Sequence, residues 1–359
     1  FHNVLCLSEA KGMDIKMNKS KIEWCDHTWN PITGCLHGCP YCYARKMTER
    51  FSGNVRRNKM AQDNYRKIQH EGHDLYILDE PMVNETGSNL VYPFGFEPTF
   101  HRYRLDTISK LKMGNNIFVG AMADIFGEWV PDEWIRAVFD TCEQYPVHNY
   151  LFLTKNPDRY VNLLLERRLP EAPNMWYGVT VTNTAQAETA EAVMQDMSDE
   201  AHAFLSIEPL MEDVSEALEI TIANFTDWVI IGAETGKNKN KVVPKAEWIR
   251  AIVTIADDVG IPVFMKDSLI HIVGEKNMRR EFPESLQRKG ISEKLENKLY
   301  DVCCDCEAYK KKSEMVTILA RSRRGESAKN ICYLCRDCFE KFCGERGIEI
   351  PELAYREEE

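Results

Sequence analysis

Six short apolar runs, each closed by a polar residue, follow one another between residues 117 and 267: "IFVGAMAD", "YLFLTK", "MWYGVTVTN", "AFLSIEP", "WVIIGAE" and "PVFMKD". Each is rich in Val, Ile, Phe or Trp and has the length of a buried strand. Apolarity this continuous, without alternation, belongs to parallel strands covered on both faces. Helical segments lie between the runs, among them "PDEWIRAVFDTCEQY", with Pro131 and Asp132 suited to a helix start, and "AEWIRAIVTIADDVG", which closes on Gly260. The pattern predicts an α/β chain built as a (β/α) barrel or partial TIM-type barrel, with a doubly wound open sheet as the alternative. Asp124, Lys155, Thr182 with Asn183, Glu208, Glu234 and Lys266 then fall at the carboxyl ends of strands, which in barrels form the active-site rim. As single residues they are ordinary loop-entry positions; six at one mouth are a candidate site.

The barrel is expected over residues 17–270, with an insertion at about 53–115. Within that insertion "HRYRLDTISKLKM" reads as a helix leading to the strand at 117, and "VNETGSNLVYPFGFEPTF" as loop. Residues 271–300 read as a charged helical connector, 301–346 as a cysteine-rich module and 347–359 as an acidic tail. Residues 1–16 read as a leader or read-through ahead of Met17. No apolar run approaches the ~20 residues a membrane helix needs, so no membrane partner is expected. The net charge of −11 argues against nucleic-acid binding over the whole surface. A local basic groove is still open to Arg45, Lys46, Arg50, Arg56, Arg57 and Lys59, although such a run is more often a solvated helix face.

Thirteen cysteines cluster, three in 35–42 and seven in 303–343. Clustering without an export signal reads as metal binding in a reducing, cytoplasmic compartment. Cys35, Cys39 and Cys42 are spaced C-x3-C-x2-C. A closed zinc site takes four ligands and an iron–sulfur cubane normally takes four thiolates. Three thiolates on one loop leave the fourth iron open to a small molecule. Gly34 and Gly38 give the loop room to wrap a bulky group, and Tyr43, Met47 and Phe51, at i, i+4 and i+8, predict an inward-packing stripe on the helix that follows. Two alternatives stand beside this. His37 would complete a Cys3His zinc site, and Cys25 would be a fourth ligand that closes the cluster. In the second group Cys303, Cys306, Cys335 and Cys338 form two C-x2-C pairs, the pattern of a zinc ribbon or treble clef, with Cys304, Cys332 and Cys343 spare. Its role is either docking of nucleic acid or a partner, helped by Lys310–Lys312, Arg321, Arg323 and Arg324, or stabilisation of a module too small for its own core. An auxiliary iron–sulfur cluster is a third reading.

The triplet with an aromatic before its last cysteine resembles the radical S-adenosylmethionine (SAM) motif. Together, "KIEWCDHTWNPITGC", "CPYCYARKM", "ADIFGEWVPDEWI", "LTKNPDRY", "WYGVTVTN", "SIEPL", "DWVIIGAETG" and "GIPVFMKD" resemble, in order over roughly 19–268, the phage three-Cys-motif family of radical-SAM-like proteins. The resemblance implies a partial barrel of the radical SAM kind in a bacterial or phage-infected host. It implies a [4Fe–4S] cluster on Cys35, Cys39 and Cys42, SAM chelating the open iron, and reductive cleavage of SAM to a 5′-deoxyadenosyl radical. Asp124 would bind the methionine amino group, although "AMADIFG" departs from the usual Gly-Gly-Glu; Thr182, Asn183 and Glu208 would contact ribose or carboxylate; Gly232 and Gly236 would approach adenine. Lys155, Glu208 and Glu234, with Asp124, are the candidates for the catalytic rim. The implied partners are an electron donor of the flavodoxin or ferredoxin type and a separate three-Cys-motif protein.

Three functions follow: a radical SAM enzyme acting on a nucleic-acid base or nucleotide; the same chemistry on a peptide or small metabolite; or a non-enzymatic iron–sulfur or zinc protein that binds nucleic acid or a partner. The chain contains neither a Gly-x4-Gly-Lys phosphate loop nor a Gly-x-Ser-x-Gly nucleophile elbow.

Overall fold

The computed structural model describes residues 17, 19–112, 114–198, 200–236, 241–312, 315–319 and 331–348. The expected leader at 1–16, Arg321, Arg323 and Arg324, and nearly all of the acidic tail lie outside them. The chain divides into two compact units, Phe1–Gln287 and Arg288–Glu359, so the boundary falls inside the segment expected as a connector.

The first unit opens with β1 (His27–Trp29), β2 (Ile32–Thr33), α1 (Tyr43–Phe51), α2 (Val55–Met60), β3 (Arg66–His70), β4 (His73–Leu78) and β5 (Thr99–His101). Strands and helices then alternate: β6 (Asn116–Val119), α3 (Asp132–Gln144), β7 (Asn149–Thr154), α4 (Asp158–Leu165), β8 (Met175–Thr180) and α5 (Thr184–Gln195). The alternation continues through β9 (His202–Ile207), α6 (Ser215–Phe225), β10 (Trp228–Ile231), α7 (Ala246–Val259), β11 (Val263–Met265) and the short α8 (Ile270–Val273). All six predicted apolar runs are strands.

β1 and β6 to β11 form one parallel seven-stranded sheet whose spatial order is the chain order. A doubly wound sheet reverses its order at a switch point. This one never reverses, so it is the singly wound arc of a partial (β/α) barrel, as expected, with β1 and β11 at its two edges. Ile117, Val119, Tyr150, Phe152, Tyr177 and Leu205 share one core with residues of α3 to α7, including Phe139, Tyr160, Leu218 and Ile249. The alternate residues Phe118, Phe204 and Trp228 meet on Trp24, with ring centroids 4.8, 6.3 and 6.2 Å away. Gly178 makes this packing possible, because a Cβ there would lie 2.3 Å from the Phe204 ring.

The insertion folds into more than a loop. β3 and β4 pair as a hairpin and join β5 and β2 in a four-stranded sheet ordered β2-β5-β4-β3. The segment expected as a helix ahead of β6 is one, a 3₁₀-helix over Arg102–Lys110, whose Arg104 carbonyl accepts both the Trp29 indole N–H and the Thr107 hydroxyl.

In the second unit α9 (Lys289–Leu299) leads to a hairpin of β12 (Tyr300–Val302) and β13 (Tyr309–Lys311). β14 (Met315–Leu319) pairs antiparallel with β15 (Ile331–Cys335), and α10 (Arg336–Arg346) follows and ends on Gly347. Among the described residues its core cluster holds Cys303, Met315, Leu334, Cys335, Phe339 and Cys343. Among the described residues no helix is long and apolar enough to cross a membrane.

Candidate metal and cofactor site at the strand ends

The loop between β2 and α1 carries the cysteine triplet, and its neighbours fix its course. Gly34 N–H donates to the Met122 carbonyl and Cys35 N–H to the Phe96 carbonyl. The Arg45 guanidinium donates back to the Cys35 carbonyl at 3.4 Å while stacking over the Phe96 ring at 4.7 Å. Gly34 takes φ +87°, and a Cβ there would lie 2.3 Å from the Glu97 carbonyl oxygen, so only glycine fits. Cys42 caps α1, its Sγ accepting from Arg45 N–H at 3.4 Å.

Cys35, Cys39 and Cys42 are half-buried free thiols. Burial first, then the negative charge of Asp124, Cys39 and Cys42, lifts Cys35 to about 12. A bound metal deprotonates its thiol ligands outright, so a metal on this loop would offset the burial that disfavours the Cys35 thiolate. An all-thiolate donor set of this kind fits an iron–sulfur cluster.

The two other candidate ligands are engaged elsewhere. His37 Nε2 lies 2.8 Å from Asp124 Oδ2, with its ring edge-on to Trp129 at 4.9 Å. Cys25 is fully buried and its Sγ contacts Ser20 Oγ at 3.2 Å.

All the predicted rim residues follow the carboxyl ends of strands, Asp124 after β6, Lys155 after β7, Thr182 and Asn183 after β8, Glu208 after β9, and Glu234 after β10. Asp124 holds two loops together. Its carboxylate accepts from Phe126 N–H (3.1 Å), the Thr154 hydroxyl (2.8 Å), Lys155 N–H (2.8 Å) and His37 (2.8 Å). These fill the roughly four acceptor positions of a carboxylate. Burial works against its charge, but His37, Lys155 N–H and Thr154 outweigh it and hold the carboxyl below its ordinary value. Sequence spacing gave no sign of His37 as this partner.

Thr182 and Asn183 cap α5. Asn183 accepts from Gln186 N–H at 3.0 Å, and the Gln186 side chain accepts from Thr182 N–H and hydroxyl, each at 2.8 Å. Thr182 also hydrogen-bonds the Tyr41 phenol, which burial and the nearby Cys39 raise to about 12. Lys155 Nζ sits 5.8 Å from the Tyr41 ring centre. The residue between Cys39 and Cys42 is thereby tied to β7 and β8.

Glu208 forms an ion pair with Lys266 at the end of β11. Burial disfavours the ammonium, but the charge and hydrogen bond of Glu208 outweigh it and raise Lys266. A Cβ on Gly232 would lie 3.1 Å from both side chains, so this glycine makes space for the pair. Glu23 joins them, its Oε1 accepting from Asp267 N–H at 3.2 Å. Glu234 is buried and hydrogen-bonds to nothing among the described residues, leaving its carboxylate available to a ligand. Gly236, at φ +79°, has nothing within 4 Å of its Cβ position.

The second unit holds a separate metal-type site. Cys303 and Cys306 lie in the β12–β13 turn, Cys335 at the end of β15 and Cys338 in the first turn of α10, with all four sulfurs within 4.8 Å of one another. The Cys306 and Cys335 sulfurs are 3.7 Å apart. Tetrahedral zinc with bonds of about 2.3 Å places its sulfurs about 3.8 Å apart. Burial raises Cys303, yet donation from the Cys306, Cys335 and Asp305 N–H groups brings it down to about 6. The second pair lies on a strand-to-helix junction and not in a second hairpin, which is the treble-clef arrangement of the two expected.

No curated protein matches the chain. Among solved structures, spore photoproduct lyase complexed with dinucleoside spore photoproduct aligns over 92% of this chain and 74% of its own, at 10% identity and a TM-score of 0.40. A doubly substituted form of that lyase, with bound AdoMet and dinucleoside spore photoproduct, aligns with the same coverage and identity at a TM-score of 0.38. Residues 19–301 match the model of the family described as "Protein of unknown function (DUF5131)", and the chain belongs to that family.

Proposed function

We propose that this protein is a radical SAM enzyme and that its substrate is a nucleic-acid base or nucleotide. One observation carries the reading: a single loop at the strand ends presents three thiols, while His37 and Cys25, the nearest candidates for a fourth ligand, are bonded to Asp124 and Ser20. When bound there, a [4Fe–4S] cluster supplies one electron that cleaves SAM to methionine and a 5′-deoxyadenosyl radical.

The chain's own residues would bind and orient. Cys35, Cys39 and Cys42 hold the cluster. Asp124 keeps the cysteine loop in register with β6 and β7 through His37; with its acceptor positions taken by protein donors, its part is bracing the loop and not contact with the methionine amino group. Tyr41 and Thr182 brace the loop against β8, with Asn183 shaping the start of α5. Glu234, buried and without a protein partner among the described residues, is available to a SAM hydroxyl or amino group or to substrate, with the open backbone of Gly236 beside it. Glu208 and Lys266 present paired charges at the mouth, and Lys155 a cation. The nucleotide preference rests on the basic run after the triplet and on the phage-family resemblance. An external electron donor of the flavodoxin or ferredoxin type completes the reaction. Cys303, Cys306, Cys335 and Cys338 hold zinc as the stabilising centre of the second unit.

The test is anaerobic. Reconstituted protein with SAM and dithionite is expected to form 5′-deoxyadenosine, and Cys39→Ala is expected to form none. Equal product from both proteins, or none from an iron-loaded wild type, contradicts the reading. Nucleoside mass spectrometry of DNA and RNA from cells with the active or the Cys39→Ala gene then tests the substrate; unchanged nucleosides would leave a peptide or small metabolite as the target.

A further inference from the structure

The helix that leaves the cysteine loop is exposed on the side where an inward stripe was expected. Tyr43, Met47 and Phe51 are 52%, 43% and 50% exposed, while the small residues Ala44 and Thr48 make the buried face. At 100° per residue, Lys46 and Arg50 fall on the same outer arc as these three, about 140° wide in all. The arc has two parallel rows. One is cationic, Lys46 and Arg50, one turn apart; the other is Tyr43, Met47 and Phe51, also one turn apart. Neither Lys46, Arg50 nor the following Arg56 pairs with a carboxylate among the described residues, whereas Arg57 and Lys59 are taken by Glu85 and Glu97. Residues 43–60 contain six Lys and Arg and one Glu, a surplus of five positive charges in a chain of net −11.

The row begins at the mouth. Cys42 is the cap residue of α1, and the Tyr43 hydroxyl donates to the Ala121 carbonyl beyond β6 at 2.6 Å. The Tyr43 side chain is therefore held at its hydroxyl beside the strand ends while half of it faces solvent. A protein interface gathers its apolar side chains into a dry centre with charges around the rim. A cationic row beside a stacking row is instead the arrangement that follows a single strand, phosphates on one side and bases on the other.

We infer that the outer face of α1 is a binding track for single-stranded nucleic acid, with phosphates on Lys46, Arg50 and Arg56 and bases stacked on Tyr43, Met47 and Phe51. Tyr43 to Phe51 spans about 12 Å, room for about three stacked nucleotides. The track rests on the proposed enzyme only for where its inner end delivers a base; strand binding itself needs no radical chemistry.

The test uses full-length, anaerobically reconstituted protein and fluorescein-labelled 12-nucleotide DNA and RNA strands and a DNA duplex, read by anisotropy from 50 to 200 mM salt. Single strands are expected to bind more tightly than duplex. Lys46→Ala with Arg50→Ala should flatten the slope of log K against log salt by about 1.4, at about 0.7 per phosphate contact. Phe51→Ala should weaken binding about tenfold with the slope unchanged. 5′-Deoxyadenosine formation without any strand should be the same in all three proteins, so loss of that activity in the wild type refutes the enzyme while leaving the track to stand or fall on anisotropy. Strand binding that is absent at 50 mM salt, or unaffected by both variants, overturns the track. So does unchanged strand binding alongside slower reduction by an acidic flavodoxin, which would make the face a protein-docking surface.

Discussion

Asp124 shows how much of the candidate site depends on one side chain. Its run of apolar neighbours placed it at a strand end, and it is there, but the carboxylate spends its four acceptor positions on protein donors from two loops. Asn at this position keeps one acceptor and turns an NH2 toward donors. Breaking a buried charge-assisted network of this kind costs about 3 kcal/mol. Asp124→Asn is therefore expected to lower the melting temperature by roughly 6–12 °C and to retain less iron after reconstitution. A melting temperature within about 1 °C of wild type contradicts the bracing role. His37 was invisible as the partner because it lies 87 positions away in the chain, and spacing carries no information over that distance. The cysteine triplet was legible because three ligands on one loop are local by necessity.

Among the elements, the six βα runs were readable because buried parallel strands must be apolar on both faces. The insertion was not. β3 and β4, "RKIQH" and "HDLYIL", pair at an exposed sheet edge where β3 is mostly polar, and β2 and β5 have two and three residues. Strands that short hold their place through the sheet they join, not through their own pattern. The α1 stripe failed for a related reason: close packing beside the cysteine loop selects small residues, so Ala44 and Thr48 turn inward and the large apolar side chains turn out. At the start of α3, Asp132 bridges Arg159 of α4 and Arg168. Burial opposes its charge, but Arg168 and Arg159 hold the carboxyl below its usual value. The folded-state pKa therefore lies below the unfolded value of about 3.9. The network's stabilisation is complete above that value and is lost as pH falls through the folded pKa. For this partly exposed group about 0.5–1 kcal/mol is expected. Urea unfolding should find Asp132→Asn less stable by that amount at pH 7, with the difference shrinking as the pH falls below about 3.9. A pH-independent difference would rule out the ionic origin.

At the scale of the whole molecule the proposed metals divide: iron on the triplet of the first unit, zinc on the quartet of the second. A singly wound sheet, ended by loops from every strand, and a four-cysteine module are different solutions to site building. The first positions an open site with a large core behind it. In the second, a bound metal would supplement a core cluster of which six buried side chains lie among the described residues. The measurement is metal analysis with Mössbauer spectroscopy on anaerobic protein, comparing wild type, Cys39→Ala and Cys306→Ser. About four irons in a cubane with one distinct site and one zinc are expected in the wild type, with loss of iron alone in Cys39→Ala and loss of zinc alone in Cys306→Ser. Iron that survives Cys39→Ala, or a triplet that takes up no iron, would contradict that division.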